Sequence, residues 1–174
     1  MSAQFYVFIS MFGTYFRSGL GVGPDKLAFA ASYAGAIFAG MSAFIVPGIT
    51  RRVPLDQGLV GAILLVSLGR FAVFFWGDTY VRYLVISTIG VAGQATYLTF
   101  IATAVQAAAP AQLRATVGGT AQLCETVASV ILPAIAGSVV ETFGPFSHFL
   151  FSGSLALLAV VPASFVNSQS LKHE

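Results

Sequence analysis

AQLCETVASVILPAIAG, residues 121–137, sets one carboxylate, Glu125, among small and apolar side chains. Carrying a carboxylate into lipid or a dry core costs several kcal/mol, so the position needs a structural partner or a task. The rest of the chain decides the solvent. Charged residues make up 8% of the 174 positions and hydrophobic residues 57%, where a soluble domain carries about 25% charge. Eight basic and six acidic side chains cannot cover the surface of a soluble domain this long. The composition is that of an all-α integral membrane protein in contact with a lipid bilayer. A net charge of +2 with scattered arginines gives no nucleic-acid footprint.

A membrane helix needs about 20 mostly apolar residues. Six such runs fall near 3–21, 27–49, 57–76, 80–108, 117–141 and 145–166. The breaks between them, GVGPDK, RRVPLD, GDT, APAQLRAT and FGP, are rich in helix-stopping and turn-forming residues. Every loop is short and no linker divides the chain, so residues 1–174 are expected to pack as one six-helix bundle. The start, MSAQFYVFIS, lacks a basic lead and a small-residue cleavage site. It reads as a retained span, and its abruptness suggests that something preceding it is missing. With a cytoplasmic amino terminus, Arg51, Arg52, Arg114 and Lys172 fall inside, and Lys26 and Arg82 outside. That bias favours both termini in the cytoplasm of a cell whose plasma membrane the chain spans.

Polar residues inside the runs follow helical spacing. Gly118, Gln122, Glu125 and Ser129 lie on one stripe of the fifth span. Ser87, Gly90, Gln94 and Tyr97 do so on the fourth, and Tyr6, Ser10, Gly13 and Arg17 on the first. The second span offers small residues instead, Ser32, Gly35, Ala39 and Ser42. In lipid such stripes are expected to turn inward, making spans one, two, four and five cavity walls, with three and six outside them. At a rise of ~1.5 Å per residue, Glu125 lies ~12 Å and Arg17 ~21 Å from the inner boundary. Glu125 and Gln94 can share a level, whereas Arg17 stands roughly two turns higher. Polar stripes also glue helices together by hydrogen bonds, which is the competing reading for the Gln, Ser and Tyr positions.

Other polar positions read as structural. Arg70, beside FAVFFW, is expected to snorkel to the outer boundary among aromatic anchors. His148 and His173 read as interfacial or solvated, and the single cysteine, Cys124, as a buried packing thiol. No cluster with metal-ligand spacing, Walker-type phosphate loop, cofactor motif or hydrolytic Ser/His constellation occurs within the spans, so an enzyme is not expected.

Spans one to three read against four to six as two repeats, about 1–78 and 79–174. PGITRRVPLDQG, residues 47–58, and PAIAGSVVETFGPFSHF, residues 133–149, each place a charged side chain four positions after a glycine: Arg52 after Gly48, Glu141 after Gly137. Three-helix units in inverted topology with a midplane site recur among transporters. APAQLRATVGGTAQLCETVASVILPAIAGSVVETFGPFSHFLF, residues 109–151, resembles the tenth-to-twelfth-helix region of major facilitator superfamily transporters. It carries a small-residue helix start, Pro133 and Gly137 in a Pro–x–x–x–Gly segment, and a closing Gly144. PGITRRVP, residues 47–54, is similar to that family's basic loop between helices eight and nine, keeping Gly48 and the arginine pair but lacking the acidic residue often found there.

The resemblance covers nearly the whole chain and implies the carboxy-terminal six-helix half of a twelve-helix fold, with spans one, two, four and five along the path. It also implies that a second copy, as a homodimer, or a partner chain supplies the missing half, because alternating access needs two halves. The expected function is a secondary active transporter, or half of one, moving a small organic solute with proton coupling as a symporter or antiporter. Glu125 would be the proton-linked or cation-contacting carboxylate, Gln122, Gln94 and Tyr97 would contact substrate, and Arg17 would answer an anionic group or pair with Glu125 in one state. A non-transporting assembly component or transporter fragment is the alternative.

Overall fold

The computed structural model describes residues 2–108 and 112–165, and among them regular structure is entirely helical. Helix α1 comprises Ser2–Thr14 and a π-helical continuation, Tyr15–Gly19. Helix α2 runs Pro24–Thr50, with a π turn at Met41–Ile45. Then follow α3, Leu55–Trp76, α4, Tyr80–Ala108, and α5, Arg114–Phe143. The last helix, α6, spans Ser147–Ser164 and is interrupted at Ala159. Pro24 opens α2 at a position where its missing N–H costs nothing. Gly144, at φ 89°, closes α5 in a conformation that favours glycine.

Among the described residues five helices, α2 to α6, are long and apolar enough to cross a membrane. The α1 segment does not join them on those criteria; its regular α-helical part is only 13 residues long. His173 lies outside the described residues.

Helix α3 packs most extensively on α4 and next on α6; α1 lies against α5 and α6, and α2 against α4. Of the most apolar stretch of α3, 56% is buried, against 11% in α2 and 6% in α5. Helix α3, with α4 at 44% and α6 at 39%, therefore forms the buried spine, whereas the sequence placed the third and sixth spans outside the polar helices. The reason is steric. A Cβ at Gly69 would strike the backbone of Gly90, and one at Gly93 would stand 2.7 Å from Val66 N. Glycines let the α3 and α4 backbones approach, as small residues do in membrane helix pairs. On the other side of α3, a Cβ at Gly153 of α6 would lie 3.2 Å from Arg70 Cβ.

Two apolar clusters lie at opposite ends of the bundle. One gathers Tyr15, Phe16, Ala30, Val73, Tyr83 and Phe149. There the Tyr15 hydroxyl donates to the carbonyl of Gly77 at 2.7 Å, tying the end of α1 to the α3–α4 turn. The other gathers Leu59, Ala62, Ile63, Tyr97, Phe100 and Ala163.

Candidate functional site

The α4 stripe, Ser87, Gly90, Gln94 and Tyr97, is buried along its length. Gly90 meets Gly69, and Tyr97 joins the cluster around Leu59 and Phe100. The Ser87 hydroxyl donates back to the Leu84 carbonyl at 3.1 Å, which satisfies it inside its own helix. Much of this stripe thus serves the packing of α3 on α4. Gln94 also faces a cavity, described below.

The other stripes stay open. On α5, Gly118 and Gln122 are exposed, and Glu125 and Ser129 are half-buried. Glu125 approaches Tyr97 closely enough to interact with it electrostatically. On α1, Ser10, Gly13 and Arg17 are exposed and line an open groove of about 730 Å³ that α2 borders with Pro24 and Leu27. On α2, Ser32, Gly35 and Ala39 are exposed and Ser42 is half-buried. Among the described residues the stripes of α1, α2 and α5 therefore do not close over one another. Cys124, expected to be buried, is exposed for the same reason: little covers α5.

Of the five residues singled out from the sequence, Glu125 and Tyr97 lie within electrostatic range of one another, and Gln94 lies one turn along α4 from Tyr97. Gln122 stands on the open α5 face. Arg17 stands apart, beside Tyr15 at the Gly77 end of the bundle. Tyr80 marks that end too, through its hydroxyl bond to the Lys26 carbonyl, and Tyr97 lies ~25 Å from it along α4. Among the described residues Arg82 and Asp78 form an ion pair at 2.8 Å on the surface, and Arg17 makes no salt bridge with Glu125 there.

Arg70 and His148 correct the sequence reading. Arg70 is only 5% exposed. Its guanidinium carbon stands 3.4 Å from the centroid of the Phe8 ring, and Nε has no acceptor among the described residues. It lines a cavity of about 430 Å³ together with Phe8 and Phe12 of α1, Phe38 of α2, and Tyr83 and Gln94 of α4. His148 is fully buried, with Nδ1 2.6 Å from the Pro145 carbonyl oxygen and its ring edge-on to Tyr15. Packing of α1 over α6 turned these side chains inward. Gly153 of α6 leaves room beside Arg70, where a Cβ would stand 3.2 Å from Arg70 Cβ, a tertiary pairing that spacing along one helix does not contain.

Among the described residues no group of three or more His, Cys, Asp or Glu is placed to hold a metal ion. With this geometry in place, comparisons with protein-family models, with curated proteins and with solved structures find no match to the chain.

Proposed function

We propose that the chain is a six-span half of a secondary active transporter that moves a small organic solute and couples to protons through Glu125. In this reading α1 is a sixth span, the two three-helix units, about 1–78 and 79–174, are inverted repeats, and both termini are cytoplasmic at the plasma membrane. The observation that carries it is the open face. Polar or small-residue stripes on α1, α2 and α5 are left uncovered, although lipid is a poor solvent for Gln122, Glu125 and Arg17. Such a face fits a wet path completed by a second copy or a partner chain.

Glu125 supports the coupling role because it is half-buried and interacts with Tyr97. A carboxyl group whose charge is costly in one surrounding and tolerable in another can take up and release a proton as the path alternates. The likeness to the major facilitator family, carried by residues 109–151 and 47–54, agrees with this reading as a proposal about ancestry.

The test is uptake of a panel of labelled small solutes into proteoliposomes under an imposed pH gradient. Wild-type protein is expected to accumulate a solute in a gradient-dependent way, and Glu125→Gln to insert normally but lose the dependence. Unchanged gradient-dependent uptake in Glu125→Gln removes Glu125 from the coupling step. One observation favours an assembly component instead: the α4 stripe is largely taken up in helix packing. That reading predicts no uptake of any solute in the same assay.

A further inference from the structure

We infer that the cavity beneath Arg70 is a binding site for a small organic monoanion, a carboxylate carried on an aromatic or short aliphatic body. The inference does not depend on transport. Arg70 is 5% exposed, lies inside a helix bundle, and pairs with no carboxylate among the described residues. Its guanidinium lies over the Phe8 ring, and Tyr83 and His148 are near enough to interact with it electrostatically. A ring face attracts a guanidinium, and a phenol can accept a hydrogen bond from it, but neither carries the negative charge that a buried cation calls for. Nε has no acceptor.

The space in front of it has the right form. The cavity encloses about 430 Å³, within the range of sites that take small molecules. Its walls come from four helices. Phe8, Phe12 and Phe38 supply an aromatic enclosure, and Gln94, with Arg70, supplies the polar contribution at one side. A carboxylate meeting the fork of Arg70 would gain charge-assisted hydrogen bonds, while its apolar body stacks among the phenylalanines. A dianion or a polyol would leave polar groups against those rings, and a cation would meet Arg70.

Gly35 gives the means of testing the cavity without touching Arg70. It lines the space, and a Cβ built there meets nothing within 4 Å, so a leucine side chain can be placed at its wall without a clash and narrow it. The probe is 4-phenylbutyrate, with neutral 4-phenylbutyramide as its control, titrated calorimetrically into the full chain in lipid-free non-ionic detergent. The wild-type chain is expected to bind the carboxylate saturably and the amide at least about tenfold more weakly. Gly35→Leu is expected to abolish binding with helicity unchanged, and Arg70→Gln to erase the preference for the carboxylate.

Equal affinity of the wild-type chain for acid and amide, or carboxylate binding unchanged in Gly35→Leu, would overturn the assignment. So would an absence of binding to wild-type protein freed of lipid. If Arg70→Gln fails to fold, the Gly35→Leu result and the acid–amide comparison decide. A second arm adds anionic phospholipid. Competition with 4-phenylbutyrate there would identify a lipid headgroup as the natural source of the anion, and no competition a free solute.

Discussion

Gly69 and Gly90 meet at the crossing of α3 and α4, yet they should respond unequally to the same substitution. A Cβ added at Gly69 would stand 2.6 Å from Gly90 Cα and 3.3 Å from the carbonyl carbon of Ile89. Ordinary carbon contact begins near ~3.5 Å, so the nearer contact is about 1 Å short of it. Both partners are backbone, so no rotamer change can relieve the clash and the helices must separate along the most extensive interface of the bundle. A Cβ at Gly90 would stand 3.7 Å from Gly69 Cα, at ordinary contact. Each Gly→Ala change gains about the same helix propensity, ~1 kcal/mol, so that contribution cancels between the two variants. What remains is overpacking at Gly69, about 1–3 kcal/mol.

The assay is unfolding of the purified chain in mixed micelles of rising denaturing-detergent fraction, read by helicity and by the single tryptophan, Trp76. Gly69→Ala is expected to unfold earlier than Gly90→Ala, and Gly93→Ala, whose Cβ would stand 2.7 Å from Val66 N, to follow Gly69→Ala. Coincident midpoints for Gly69→Ala and Gly90→Ala would refute the described α3–α4 contact.

The remaining expectations concern single contacts and assembly. Tyr15→Phe removes a buried hydrogen bond to the Gly77 carbonyl and should destabilise the bundle by about 1–2 kcal/mol in the same unfolding assay. Arg82→Ala breaks an exposed pair with Asp78 and should move the midpoint by less than ~0.5 kcal/mol. Cys124, being exposed, should react with a maleimide in native detergent micelles as fast as in denatured protein; strong protection would mean that another surface covers α5. Light scattering with the detergent contribution subtracted should give the mass of a dimer if two copies complete the path, and of a monomer if a separate chain does.

The helix limits were legible because the punctuation is chemical. GVGPDK, RRVPLD, GDT and FGP fall where α1, α2, α3 and α5 end and the next helix begins, and each contains residues that stop a helix or favour a turn. What could not be read was which way a stripe points. Ser87, Gly90 and Gln94 have the composition of a cavity lining, and the same small and self-bonding side chains are what two helices need to pack closely. Gly69 decided the matter on α4 by presenting its backbone to Gly90, a tertiary pairing that spacing along one helix does not contain. Arg70 failed for a related reason. Its place beside FAVFFW gives a depth in the membrane but no azimuth, and the long side chain turned toward Phe8 rather than toward water. Glu125 stands out in the sequence because a carboxylate in an apolar run is rare whatever surrounds it, but its electrostatic interaction with Tyr97 needed the fold.

The central claim is that the open face of α5 borders water rather than lipid. Single cysteines at Gln122 and Ser129, on the polar stripe, and at Leu123 and Val130, about 100° around the helix from them, should be placed in a Cys124→Ser background and challenged in native membranes with a membrane-impermeant maleimide. The account predicts labelling at positions 122 and 129 and none at 123 and 130. Protection of 122 and 129, or labelling of all four alike, would contradict it.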